Sequence, residues 1–172
     1  MLIDETTTTA LSPERVRDLM TTDAFQRAKA DRLGAIEFGM EVTDGPPPEH
    51  ARTVVTRRRF DTAGFPEFLK PMIRPTIVAV ETERWHPSEP GGDTFTGDFE
   101  VDVDGAPVAL RGHVRIEPHD DGARVTFTGN LRAAVPLFRS KVEQSAAGSV
   151  LDTIRTEFTL LEEHETTSRR NR

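Results

Sequence analysis

A basic run at positions 57–59 is the first feature of the sequence that could do chemistry. Three consecutive arginines stand there, inside the segment 51–60, whose composition predicts a strand. Successive side chains of a strand point to opposite faces, so part of the run must face inward or lie at the mouth of any space that the sheet encloses. A buried arginine needs an anionic partner. That partner would be a carboxylate of the protein or of a ligand.

The predicted strand 76–86 contains the second group of charged residues. The apolar pattern does not decide which of its two faces points inward. One set of alternating positions would place Arg84 inside, whereas the other would place Trp85 inside together with Glu81 and Glu83. A bulge could reconcile the two sets. We favour charged residues at the rim. Arg84 with either glutamate is the one acid–base candidate, and it is a poor pair because neighbouring strand residues face opposite sides.

Other kinds of chemistry find little support. Cysteine is absent, which excludes disulfides, thiolate metal sites and a cysteine nucleophile, and tyrosine is absent, which excludes a tyrosine acid or base. No phosphate loop or dinucleotide glycine pattern occurs, and Gly148-Ser149 lies mid-helix, the wrong context for a nucleophile. The histidines show no metal-ligand spacing and are predicted to be solvated: His50, His86, His113, His119 and His164. We therefore predict no catalytic residue, no metal site and no cofactor.

Length and charge bound the class of protein. The 172 residues suit one domain, with 35% hydrophobic and 30% charged residues. The net charge of −7 argues against nucleic acid or an anionic membrane as the main partner. Asp4 and Glu5 stand where a signal peptide would carry positive charge, and no apolar run is long enough for a stable membrane insertion, so we expect a cytoplasmic protein. We assign residues 1–164 to the domain and 165–172 to a polar tail. The oligomeric state stays open.

The N-terminal half alternates short elements. A strand is predicted at 3–10, and Ser12-Pro13 then caps a first short helix. Thr22-Asp23 begins a second short helix that runs to about residue 30. The remaining predicted elements here are strands at 35–42, 51–60 and 76–86, proline-containing loops at 46–48 and 87–92, and a short apolar helix at 65–73 that would close the core or act as a lid.

The next strands have the clearest pattern. Apolar residues alternate with polar ones from 95 to 103 and from 108 to 116, and Asp104-Gly105 between them predicts a two-residue turn. That turn sets Phe99 opposite Leu110 and Asp98 opposite Arg111, with the acidic residues on a solvated outer face. A second hairpin at Asp121-Gly122 leads to a seventh strand.

A long helix follows Pro136 and extends to about residue 163, with an apolar stripe on one face. Small residues at 146–149 make its middle thin. We favour close packing of helix and sheet there, and the alternative is that they leave room for another molecule. A long antiparallel meander curls, and the final helix is the element long enough to fill its concave side.

The segments that carry a family resemblance span about residues 7–164: 10–16, 19–25, 58–60, 64–68, 81–85 and 134–137. In their order and spacing these segments resemble the START-like, helix-grip superfamily that includes polyketide cyclases and lipid-transfer domains (SRPBCC), and within it a bacterial family of unknown function. The resemblance implies an α+β helix-grip fold, in which a curved antiparallel sheet of about seven strands wraps around a long C-terminal helix, with two short helices after the first strand. It also implies a cavity for an apolar or amphipathic ligand.

We therefore expect the protein to bind a small hydrophobic or amphipathic molecule, lipid or polyketide-like, between sheet and helix, with no assigned reaction. The alternatives are an enzyme of the cyclase or hydratase type that uses the same cavity, and a non-catalytic interaction module with a filled core. The residues predicted to bind the ligand are Phe68, Met72, Arg84, Trp85, Phe99, Phe127, Leu131, Phe138, Val142 and Ala146.

Overall fold

The structure is a computed structural model that describes residues 1–46, 51–87 and 92–170, with side chains to residue 167. Most of the two predicted proline-containing loops, as well as His50, lies outside the described residues. The elements in chain order are β1 (Leu2–Thr9), α1 (Pro13–Met20), α2 (Asp23–Arg32), β2 (Glu37–Asp44), β3 (Arg52–Asp61), β4 (Thr76–Trp85), β5 (Phe95–Asp104), β6 (Val108–His119), β7 (Gly122–Ala133) and α3 (Arg139–Arg170).

The seven strands form one antiparallel sheet in the order β1-β7-β6-β5-β4-β3-β2. Strands β2 to β7 form a meander, and β1 pairs with β7 at the far edge. The sheet curves, and its concave side faces α3, which packs against β1, β7 and α2. This is the predicted α+β helix-grip fold. Burial alternates along β7, whose inward residues follow the predicted parity from Ala123 to Ala133.

The two short helices begin at the predicted caps. The Ser12 hydroxyl accepts a hydrogen bond from the Arg15 amide, and the Thr22 hydroxyl accepts one from the Phe25 amide. These caps satisfy donors that have no partner inside a helix. The helices bury one face, which includes Val16 and Met20 of α1.

The predicted helix at 65–73 is wrong: the segment is a series of turns. The amide of Leu69 bonds the carbonyl of Pro66, and the amide of Met72 bonds the carbonyl of Leu69. Both bonds span three residues, whereas an α-helix spans four. Pro71 has no amide hydrogen to donate to the carbonyl of Glu67, which explains why these turns do not join into a helix.

The predicted register of β5 and β6 is also wrong, by two residues. Phe99 pairs with Gly112 and Asp98 with His113, because the connection contains three residues, 105–107, and Gly105 has φ +93°. A shift of two keeps every side chain on its predicted face. Glu100 is now opposite Arg111, and its carboxylate lies 2.6 Å from that guanidinium. In the next hairpin His119 pairs with Gly122, so Asp120 and Asp121 form the turn.

The C-terminal helix is longer than predicted. α3 continues to Arg170, so the segment that we assigned to a polar tail begins inside the helix. Its buried residues recur every three or four positions, as the stripe predicted, and they include Val142, Ile154 and Leu161. Phe138 is an exception, because it precedes the helix and is 53% exposed.

Candidate functional site

A cavity of about 720 Å³ lies between the concave face of the sheet and α3. Apolar side chains of β3 to β7 form one wall, and the turn segment closes an end through Phe65, Leu69 and Ile73. Residues 142–157 of α3 form the opposite wall. Several lining residues are exposed and mark the mouth, among them Gly34, Gly64 and Asp152. Cavities of this size hold small organic ligands in other proteins.

Five of the ten residues that we predicted to bind ligand line this cavity: Phe99, Phe127, Leu131, Val142 and Ala146. The rings of Phe99 and Phe127 are 5.9 Å apart and tilted, an arrangement that aromatic pairs prefer. These positions follow from strand and helix parity. Their contact with a ligand stays a prediction.

The other five residues do not line the cavity. Arg84 is on the outer face, where its guanidinium lies 3.5 Å from Glu100. Trp85 is buried in the main core, and Phe138 is largely exposed. Phe68 and Met72 pack against a second core cluster whose members Leu69 and Val142 line the cavity, but neither side chain belongs to the lining itself.

The small residues of α3 divide between the core and the cavity, and Ala147 is buried in the main core cluster. Ala146, Gly148 and Ser149 belong to the lining, and a Cβ atom added at Gly148 would meet nothing within 4 Å. Our preferred interpretation, close packing of helix and sheet, therefore describes Ala147. The alternative, that small residues leave space, describes Gly148 and Ser149.

Strand β4 turns its carboxylates inward. Glu81, Glu83 and Trp85 are buried, whereas Arg84 is exposed. Our preference for charged residues at the rim is thus wrong for both glutamates. The acid–base pair of Arg84 with Glu81 or Glu83 does not form, because they lie on opposite faces of the sheet.

The buried glutamates belong to a cluster that we call the ion cluster: Lys29, Arg58, Glu81, Glu83 and Glu157. The Lys29 Nζ atom lies 3.3 Å from Glu81 Oε2 and 3.0 Å from Glu157 Oε1. Arg58 also pairs with Glu81 through its Nη2 atom. The Trp85 indole donates a hydrogen bond of 3.0 Å to Glu83 Oε2. The cluster joins α2, β3, β4 and α3.

Our sequence analysis missed Lys29 and Glu157, although both lie on buried faces. Lys29 is one turn after the buried Phe25, and Glu157 lies between Ile154 and Leu161 of the apolar stripe. A charged residue within such a stripe could have been read as a buried partner. The partners of each come from distant segments, which a reading of one element at a time does not bring together.

Burial and charge set the protonation of the cluster. Burial alone would raise the pKa of Glu81, but the cations Lys29 and Arg58 outweigh it and lower this pKa to about 2. Burial raises the pKa of Glu83 to about 8, with help from the negative charges of Glu81 and Glu157. Burial likewise raises the pKa of Glu157, against the attraction of Lys29. At neutral pH Glu83 is therefore mostly protonated and can stay uncharged in the core.

The ion cluster borders the cavity and shares three residues with its lining. Arg58, Glu81 and Glu157 belong to the cavity lining, and Arg58 is 3% exposed. Its Nε and Nη1 atoms have no hydrogen-bond partner among the described residues. A buried donor without a partner costs about 1–3 kcal/mol. The cavity thus has an apolar body and a polar end formed by Arg58, Glu81 and Glu157.

Two further observations concern other classes of function. Within residues 1–46, 51–87 and 92–170, no group of three or more histidine, aspartate or glutamate side chains is arranged to hold a metal ion. No described helix is both long and apolar enough to cross a membrane.

With this geometry in place, the comparisons with known proteins decide the family. A family model described as protein of unknown function (DUF2505) matches residues 4–164. The chain belongs to the DUF2505 family. A search of curated proteins finds no significant match.

Several solved structures share the fold of this DUF2505 protein. TTHA0849 from Thermus thermophilus is 15% identical, with a TM-score of 0.61 over 98% of this chain and 99% of that one. Ara h 8.0201 is 13% identical, with a TM-score of 0.57 over 97% and 98% of the two chains. The lipid transfer and protein localization domain of human StarD13 is 11% identical, with a TM-score of 0.55 over 95% and 76%. At these identities the likeness concerns the fold.

Proposed function

We propose that residues 1–164 form a single domain that binds a small hydrophobic or amphipathic molecule, lipid or polyketide-like, in the cavity between the sheet and α3. The observation that carries this proposal is the cavity itself, about 720 Å³ in volume and lined mainly by apolar side chains. Apolar area supplies affinity in such sites, and a few polar groups orient the ligand.

Two further points support binding over the alternative of a filled core. A close-packed core leaves few voids larger than a water molecule, and this cavity is much larger. The fold is also that of a domain described as a lipid transfer domain in human StarD13. A fold does not determine a function, so the second point adds to the cavity and does not replace it.

The test is native mass spectrometry of the purified protein beside its denatured mass, with solvent extraction of whatever is released. We expect a bound mass that disappears on denaturation, or, for protein purified empty, binding of an apolar dye that fatty acids displace. A clean empty mass together with failure to bind dyes and fatty acids would contradict the proposal.

A pair of variants ties binding to this cavity. Ala146 lines it and Gln144, on the same helix, is exposed and lies outside it. Ala146→Phe should reduce dye binding at least tenfold, because the ring occupies ligand space, whereas Gln144→Phe should leave it within twofold. Equal binding by both variants would place the dye elsewhere on the protein.

A further inference from the structure

The polar end of the cavity allows the chemistry of the ligand to be narrowed, and this step rests on the proposed function. The ion cluster contains two cations, Lys29 and Arg58, and both already face carboxylates. Glu81 and Glu157 balance these cations, and Glu83 adds a third carboxyl group. With Glu157 ionised beside Lys29, the net charge of the cluster is zero when Glu83 is protonated and −1 when Glu83 is ionised. In neither state does it hold positive charge in excess.

Arg58 nevertheless has N–H donors that are not used within the cluster. Its Nη2 atom bonds Glu81, whereas Nε and Nη1 lack partners among the described residues. Arg58 lines the cavity. Buried donors of this kind favour a ligand that carries an acceptor.

We infer that the polar end of the ligand is an uncharged hydrogen-bond acceptor, such as a ketone, ester or amide carbonyl, and that Arg58 donates to it. A carbonyl satisfies the two donors without adding charge. A free carboxylate would add a negative charge beside Glu81 and Glu157 in a region of low dielectric, where like charges repel strongly. The sequence left open whether a carboxylate of the protein or of a ligand pairs with the arginine run, and in the structure Arg58 pairs with Glu81 of the protein.

The test uses three probes with the same alkyl chain: 2-undecanone, decanoate and undecane. The ketone and the acid have the same skeleton, with a methyl group in one where the other has oxygen. Dissociation constants are measured at pH 7.5 by displacement of a bound apolar dye. We expect the ketone to bind at least tenfold more tightly than decanoate and several-fold more tightly than undecane.

A conservative variant assigns the preference to Arg58. Arg58→Lys keeps the charge beside Glu81 but removes the Nε and Nη1 donors, so the advantage of the ketone over undecane should fall to less than twofold. Arg57→Lys is the matched control, because Arg57 is the neighbouring exposed residue. If Arg58→Lys does not fold, the double variant Arg58→Met/Glu81→Gln removes one charge of each sign and takes its place.

The outcomes separate the inference from the proposed function. Decanoate binding as tightly as the ketone, or undecane binding as tightly as the ketone, overturns the inference while ligand binding stands. A ketone preference that survives in the Arg58 variant that folds also overturns it, because the acceptor would then be held by another residue. If none of the three probes displaces the dye and no dye binds, the proposed function fails together with the inference.

Discussion

The Lys29 Nζ atom lies 3.0 Å from Glu157 Oε1, and both side chains are almost completely buried. This ion pair connects the second short helix to the C-terminal helix through the interior of the protein. Taking two charges out of water is costly, and the cost is offset when each has close partners. Lys29 has two, Glu81 and Glu157. The loss of Lys29 would leave two buried carboxylates facing each other.

Replacement of Lys29 should therefore destabilise the protein strongly. We expect Lys29→Met to lower the free energy of unfolding by about 3–5 kcal/mol, because Glu157 loses its cation and Glu81 keeps Arg58 alone. Urea unfolding followed by circular dichroism measures this. The control is Arg32→Met on the same helix, whose ion pair with Glu163 is exposed and should contribute less than about 1 kcal/mol. Similar losses in the two variants would show that the buried pair contributes no more than the exposed one.

Stability should fall as the pH rises between about 4.5 and 8. In this range Glu83 is ionised in the unfolded chain but protonated in the folded one, because its pKa is raised to about 8. The unfolded state then binds fewer protons, so stability decreases with pH by up to about 1.4 kcal/mol per unit. Glu83→Gln should flatten this slope, and part of it should remain because the pKa of Glu157 is raised too. Glu81 does not contribute in this range, since its lowered pKa stabilises the fold above 4.5 and that stability is lost only as the pH falls toward 2.

The measurement for this prediction is urea unfolding at several pH values from 5 to 8.5. Glu162→Gln is a suitable control, because Glu162 is on α3 and exposed. If Glu83→Gln and the wild type show the same slope, Glu83 is already ionised in the folded protein at neutral pH.

The fluorescence of the protein should report the same titration. Trp85 is the sole tryptophan, tyrosine is absent, and the Trp85 indole donates directly to the carboxyl group of Glu83. We expect the emission of the folded protein to change with a midpoint near pH 8, where Glu83 loses its proton. The change should be absent in Glu83→Gln. A midpoint near 8 that persists in this variant would assign the titration to another group.

Two glycines should respond in opposite directions to alanine. At Gly112 an added Cβ would lie 2.2 Å from the Thr128 carbonyl oxygen and 2.6 Å from the Phe99 ring, so Gly112→Ala should destabilise the sheet by more than about 2 kcal/mol. Gly148 lies inside α3 with open space around it, so Gly148→Ala should stabilise the protein by about 0.5–1 kcal/mol. Thermal unfolding of both variants measures the two effects. Destabilisation by Gly148→Ala would mean that the helix is held closer to its surroundings there.

The alternation of apolar and polar residues along the strands predicted most of the cavity residues that the sequence identified correctly. Alternation along β5, β6 and β7 placed Phe99, Phe127 and Leu131 on the concave face, and these residues line the cavity. The error of two residues in the register of β5 and β6 did not affect this prediction, since a shift of two residues leaves each side chain on the same face of the sheet. The caps at Ser12 and Thr22 also predicted the starts of α1 and α2 correctly, because each cap depends on a hydrogen bond between residues close in sequence.

The ion cluster could not be predicted in the same way. The inward face of β4 contains Glu81 and Glu83. Burial of two carboxylates on one strand is unfavourable in the absence of cations, and the sequence of β4 does not show that Lys29 and Arg58 lie close to them. Which cation meets which carboxylate depends on how α2 and α3 pack on the sheet, and this is a property of the tertiary structure. The turn segment was mispredicted for a different reason: spacing of apolar residues suggested a helix, but Pro71 removes a hydrogen bond that the helix needs.

The pairing of β1 with β7 also bears on how the chain acquires its structure during synthesis. Glu5 pairs with Phe127, so β1 has no strand partner until β7, the last strand of the sheet in chain order, has been synthesised. The meander from β2 to β7, in contrast, pairs strands that are neighbours in sequence. The ion pair of Lys29 with Glu157 forms later still, because Glu157 lies on α3, which follows β7 in the chain. The two ends of the chain thus complete the structure together, and truncation of α3 before Glu157 would leave Lys29 with Glu81 as its one remaining carboxylate partner among the described residues.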